Sequence, residues 1–94
     1  MFIDDFVWLP NVVEKLEVKH RVSQDEVEEV FFAMPKYRFV ESGHRPAEDV
    51  YSAGGQTDSG RYLIVFFIHK VDNTALILTA RDMDSGERKR HGRK

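Results

Sequence analysis

A chain of 94 residues, 41% hydrophobic with seven Phe, three Tyr and one Trp, suits one small domain spanning 1–94 whose core needs neither metal nor disulfide. No Cys occurs, which excludes disulfides and thiolate zinc sites and makes a reducing cytoplasm the simplest home. The net charge of −2 conceals an asymmetry: residues 1–60 hold six Lys/Arg against twelve Asp/Glu, and residues 61–94 hold eight against four. Global charge therefore does not steer the protein onto nucleic acid, but a local basic face or a charged protein partner fits.

Met1-Phe2-Ile3-Asp4-Asp5 has neither the basic start nor the apolar stretch of a signal peptide. The longest apolar run, Tyr62 to Ile68, falls far short of the roughly 20 residues a membrane helix needs. A soluble cytoplasmic domain of bacterial type, without membrane contact, is expected. Phe2 to Trp8 alternates loosely and reads as a short first strand. Pro10 then begins a helix, where its missing N–H costs nothing. Val12, Val13 and Leu16 give that helix one apolar stripe.

Ser23-Gln24-Asp25-Glu26 is a capping box, in which the Ser oxygen and the Glu carboxylate each satisfy a backbone N–H. Val22 and Val27 stand at the hydrophobic-staple positions. Val27, Val30, Phe31 and Met34 keep helical spacing, and Pro35 stops the helix. After Pro35 the period changes to two. Tyr37, Phe39 and Val40 mark one strand, and Asp49 to Ala53 a second that ends at Gly54-Gly55. Gln56 to Gly60 is a turn, and Arg61 to Ile68 is a nearly continuous apolar strand at the centre of the sheet. Asp72-Asn73 is hairpin chemistry, Ala75 to Ala80 is the returning strand, and Asp84 caps a final helix running through Arg90. The expected class is α+β: two N-terminal helices, an antiparallel meander of about four strands, and a C-terminal helix.

Three clusters compete for chemistry. Arg45 and Glu48 flank a Pro turn between two strands; they either share a cleft or form an exposed ion pair. Arg81 stands just past a buried strand, where a rigid sheet could aim its guanidinium at a phosphate. It could equally pair with Asp82 or Asp84. On the last helix, Glu87 and His91 share a face at i, i+4, with Arg88, Lys89 and Arg90 around them, which is either an acid/base beside phosphate ligands or a solvated basic tail. His20 and His69 read as a helix-end residue and a strand-end residue. The four His lack HxH or HExxH spacing, so no metal site and no cofactor is expected. There is no phosphate-binding loop, since Gly54-Gly55 lacks a further Gly and Lys, and no GxSxG or Cys nucleophile.

In order along nearly the whole chain, the residues resemble the BrnT family of bacterial toxins. The resemblance runs through Phe6-x-Trp8, Asn11, Lys15, Lys19-His20-x-Val22, Glu26, Glu29-Val30-Phe31 and Pro35. It continues through Arg45-x-x-Glu48 and closes on Ala80-Arg81-Asp82-Met83 and Glu87-Arg88-Lys89. It implies a RelE-like fold and a metal-independent endoribonuclease of a type II toxin–antitoxin pair. The partners would be RNA and a BrnA-type antitoxin, with a dimer or a heterotetramer as the assembly. Carried over by position, Arg45, Glu48, Arg81, Glu87 and His91 would be catalytic, and Arg88, Lys89 and Arg90 would bind RNA. Two positions depart from the pattern: Arg21 stands where the family often has Gly, altering the helix–helix turn, and His91 where it often has Tyr.

The mechanism so implied is transesterification, in which a ribose 2′-OH attacks its neighbouring phosphate. Arg81 and Arg45 would hold the phosphate, Glu48 would be the base, and His91 or Glu87 the acid. The rival reading is a non-catalytic interaction domain that binds a protein, with or without RNA.

Overall fold

A computed structural model describes residues 1–46 and 48–92. The elements in chain order are β1 (Asp5–Val7), α1 (Pro10–Lys15) continuing as a π-helical segment (Leu16–His20), α2 (Gln24–Phe32), β2 (Lys36–Glu41), β3 (Val50–Gln56), β4 (Tyr62–His69), β5 (Thr74–Asp82) and α3 (Ser85–Gly92). The class is α+β, as expected. The sheet, however, has five strands in the order β1-β5-β4-β3-β2, and it is mixed rather than a pure meander. β1 pairs in parallel with β5, Phe6 opposite Ala75, because the helical crossover returns the chain to the far edge of the sheet.

Local chemistry explains the helices. Pro10 occupies the first turn of α1, as its fixed φ favours. At the start of α2 both halves of the capping box form: Glu26 N–H donates to Ser23 Oγ at 3.1 Å, and Ser23 N–H to Glu26 Oε1 at 3.1 Å. Val22 and Val27, the staple pair, are buried. Met34 does not join the apolar stripe: the helix has ended, its φ of 52° is left-handed, and its side chain is 92% exposed. Arg21 also has a left-handed φ, 53°. The turn after His20 therefore holds a conformation that glycine would adopt more readily than arginine.

The two faces of the sheet separate by ladder row. Tyr37, Ala53, Val65 and Ala80 lie opposite one another in one row and face the helices. With Leu63, Phe67, Ala75 and Ile77 they meet Val12, Leu16, Val27, Val30 and Phe31 to make the core. Phe31 sets edge-on against both Phe6 and Phe67, ring centroids 5.1 Å apart in each case. The core cluster is fully screened from water at Val27, Val30, Val65 and Phe67, and this burial is the main force closing helices onto sheet. Gly54 and Gly55 lie inside β3 rather than ending it. At Gly55 a Cβ would stand 3.3 Å from Val30 Cγ1 and 3.6 Å from Pro35 Cβ, so glycine admits the close approach of α2.

Candidate functional site

The opposite face of the sheet carries the candidate site. Lys36, Gly54, Ile64 and Arg81 form one row across four strands, and Arg38, Ser52, Phe66 and Thr79 form the next. Directly opposed residues share a face, so both rows point away from α1 and α2. Over one end lies α3. Between it and the strands is a cleft of about 110 Å³ lined by Lys36, Arg38, Ser52, Gly54, Ile64, Met83, Glu87, Arg90 and His91. Gly54 keeps its floor open: a Cβ there would come within 3.0 Å of Met83 Cε.

Asp84 does cap α3. Glu87 N–H donates to Asp84 Oδ1 at 2.8 Å, and Asp84 N–H to Glu87 Oε1 at 2.9 Å, a second capping box. Arg81 then grips the same carboxylate in a fork, Nη1 to Oε1 at 2.7 Å and Nη2 to Oε2 at 3.0 Å. The Arg81 hydrogen bonds are the leading cause holding the Glu87 carboxyl below its usual range, against a smaller opposing effect of burial. Glu87 is thus held as a carboxylate between Arg81 and the cap of α3. Arg81 pairs with neither Asp82 nor Asp84 through their carboxylates. Its fork is committed to Glu87, and its Nη1 also donates to the Asp82 carbonyl at 3.2 Å.

His91 shares the cleft with Glu87, as helical spacing required. Burial, reinforced by the positive charge of Lys36, pushes the imidazole below its ordinary value, so it is neutral near pH 7 and can accept a proton. Lys36 Nζ donates to the His91 carbonyl and ties the end of α3 to edge strand β2. Tyr62 meets the imidazole edge-on, ring centroids 5.9 Å apart. Arg88 turns away from the cleft and lies over the Tyr62 ring, 4.6 Å from its centroid. Arg90 lines the cleft, and Lys89 is exposed on the same helix.

Arg45 and Glu48 are not brought to this site. Their loop joins β2 to β3 at the other end of the sheet, where Val50 lies opposite Ile68. Glu48 pairs with Lys70, Oε1 to Nζ 3.7 Å, and Arg45 is exposed. Lys70 is six residues along the chain from Ile64, about 20 Å at strand rise. The expected phosphate pocket joining Arg81 to Arg45 and Glu48 is therefore corrected. Spacing makes Arg45 and Glu48 neighbours in the sequence, but the ladder decides which end of the sheet they occupy.

Two groups of residues escaped the sequence reading. Lys36 and Arg38 had a visible signal, since they alternate with Tyr37 and Phe39 and must take the face opposite those rings. Arg61 had none. Its Nε and Nη2 clasp the Asp82 carboxylate at 2.7 and 3.0 Å, and its Nη1 reaches Glu26 Oε2 at 3.2 Å. The same guanidinium donates to the carbonyls of Arg21 at 2.6 Å and His20 at 3.0 Å. It joins the end of the first helix, the cap of α2 and the end of β5. His69 ends β4 and approaches Asn73 Oδ1 at 3.2 Å. No group of three His, Cys, Asp or Glu suited to a metal ion occurs among the described residues. No helix among them is long and apolar enough to cross a membrane. Comparison with models of known protein families and with curated proteins finds no match.

Proposed function

We propose that the protein is an RNA-binding domain that cleaves RNA by metal-independent transesterification in the cleft between α3 and the sheet. The observation that carries this reading is a neutral imidazole, His91, set in one cleft with Lys36, Arg38 and Arg90. The cations receive a phosphate and stabilise the charge that builds on its oxygens. The imidazole takes the 2′-OH proton as the 2′-oxygen bonds to phosphorus. The bond from phosphorus to the 5′-oxygen then breaks, and the imidazolium returns its proton to that oxygen. Arg81 and Glu87 act as positioning residues that hold α3, while Arg88 and Lys89 extend the basic surface. We read the α+β layout as RelE-like and the protein as the toxin of a cytoplasmic toxin–antitoxin pair, neutralised by a BrnA-type protein in a dimer or heterotetramer.

The test is cleavage of RNA by the purified protein in chelator, with His91→Asn, Arg38→Ala, Arg45→Ala and Glu48→Ala beside it. The first two should lose about 10²-fold or more in rate, as removed proton-transfer or electrostatic groups do. The last two should stay within about twofold, because both residues lie at the far end of the sheet and Glu48 is paired there with Lys70. Undiminished cleavage in both His91→Asn and Arg38→Ala would sink the assignment. RNA binding with no cleavage by the wild type would select the interaction-domain reading instead.

A further inference from the structure

The outer face of β4 has a feature that phosphate binding does not use. Tyr62, Ile64 and Phe66 occupy every second position and point away from the core, whose side of the same strand is taken by Leu63, Val65 and Phe67. Both rings are half-buried, and each lies beneath a guanidinium. Arg88 stands 4.6 Å from the Tyr62 centroid and Arg81 5.8 Å from the Phe66 centroid. Ile64, between them, lines the cleft that holds His91. The chain thus presents a stacking surface, then a cationic cleft, then a second stacking surface, along one strand. Tyr62 and Phe66 are about 13 Å apart at strand rise, which leaves room for one sugar–phosphate link over Ile64.

We infer that this strand face is a platform for single-stranded RNA, with one base stacked at Tyr62–Arg88, the next at Phe66–Arg81, and the phosphate joining them facing His91. The inference rests on the ribonuclease reading for its substrate and extends it to the conformation that is bound. Rings and guanidinium planes stack on any base whose face is free, whereas a duplex offers only base edges and backbone. The charged side chains in the two rows and on α3 are cations, apart from Glu87, whose charge Arg81 already matches. That sign suits a phosphate chain better than an acidic or apolar peptide. Splaying two neighbouring bases also bends the backbone between them. The bend turns the 2′-oxygen toward the line opposite the 5′-oxygen, the geometry that displacement at phosphorus requires.

The experiment measures binding apart from cleavage, by fluorescence anisotropy with a 2′-O-methyl RNA oligomer that cannot transesterify. The single strand, its duplex and heparin are compared at one salt concentration, with Phe66→Leu and Tyr62→Leu checked for unchanged melting. The single strand should bind at least about tenfold tighter than the duplex. Each Leu variant should weaken single-strand binding by about 5- to 100-fold while leaving duplex and heparin binding unchanged, as loss of one stacked base does. Equal affinity for strand and duplex in the wild type would overturn the platform without recourse to any variant. So would Leu variants that bind the single strand as the wild type does, or no RNA binding at all. If ordinary RNA is bound in the expected pattern but left uncut, the platform stands and the ribonuclease reading alone fails.

Discussion

Arg81 and Glu87 close on each other through two parallel hydrogen bonds, so the guanidinium that ends β5 holds the helix that follows it. The pair fixes α3 against the end of β5. It is more than a surface contact, because the Glu87 side chain is only 15% exposed although Arg81 is 41% exposed.

The first prediction concerns this pair and pH. The Glu87 carboxyl is held below its ordinary value, so the stability it contributes is complete above that value and lost as pH falls through the lowered one. Arg81→Ala should therefore cost about 1–2 kcal/mol near neutral pH, discounted for solvent at Arg81, and distinctly less at a pH well below the ordinary carboxylate range. Urea midpoints at the two pH values measure this; an equal cost at both would contradict it.

Arg61 should matter more to folding than any residue of the cleft. Arg61→Met leaves Glu26 and Asp82 without their cation and two carbonyls without a donor. We expect a loss of about 2–3 kcal/mol, with Arg61→Lys recovering only part, since an ammonium cannot span the fork. Chemical denaturation decides it, and a midpoint unchanged in Arg61→Met would refute the hub.

Under the proposed mechanism, the acidic limb of cleavage should lie below the ordinary imidazole value. His91 must be neutral to accept the 2′-OH proton, and its lowered value keeps it neutral further into acid. The pH profile of kcat/KM reports this directly. A limb above the ordinary value would point to another base.

Arg21→Gly is expected to stabilise the protein. Relief of a left-handed φ at a residue with a Cβ is worth about 1–2 kcal/mol, and the added freedom of the unfolded chain takes back about 0.5–1. A gain of about 1 kcal/mol or less should appear as a raised melting temperature. A lowered one would mean that the Arg21 side chain, rather than its carbonyl to Arg61, supports the turn.

Much of the fold was legible in the residues. The capping boxes at Ser23 and Asp84, the Pro10 start, the staple at Val22 and Val27, and the central strand through Tyr62 to Ile68 rest on contacts within a few positions, which short-range chemistry dictates. Met34 misled because helical spacing continued two residues past Phe32, where the helix ends, onto the residue at which the backbone turns left-handed. The partner of β1 was not legible, since three residues carry no address for the edge they join.

The same boundary divides the site. By itself, the sequence determined that Glu87 and His91 share a helical face and that Lys36 and Arg38 oppose Tyr37 and Phe39, because period and propensity act locally. Only the tertiary structure decided that β2 brings its cations to α3, that Arg81 is bound to Glu87, and that Arg45 and Glu48 stand at the far end. Those outcomes depend on ladder register, in which residues far apart in the chain become neighbours through backbone pairing and core burial, and no short stretch of sequence encodes that alignment.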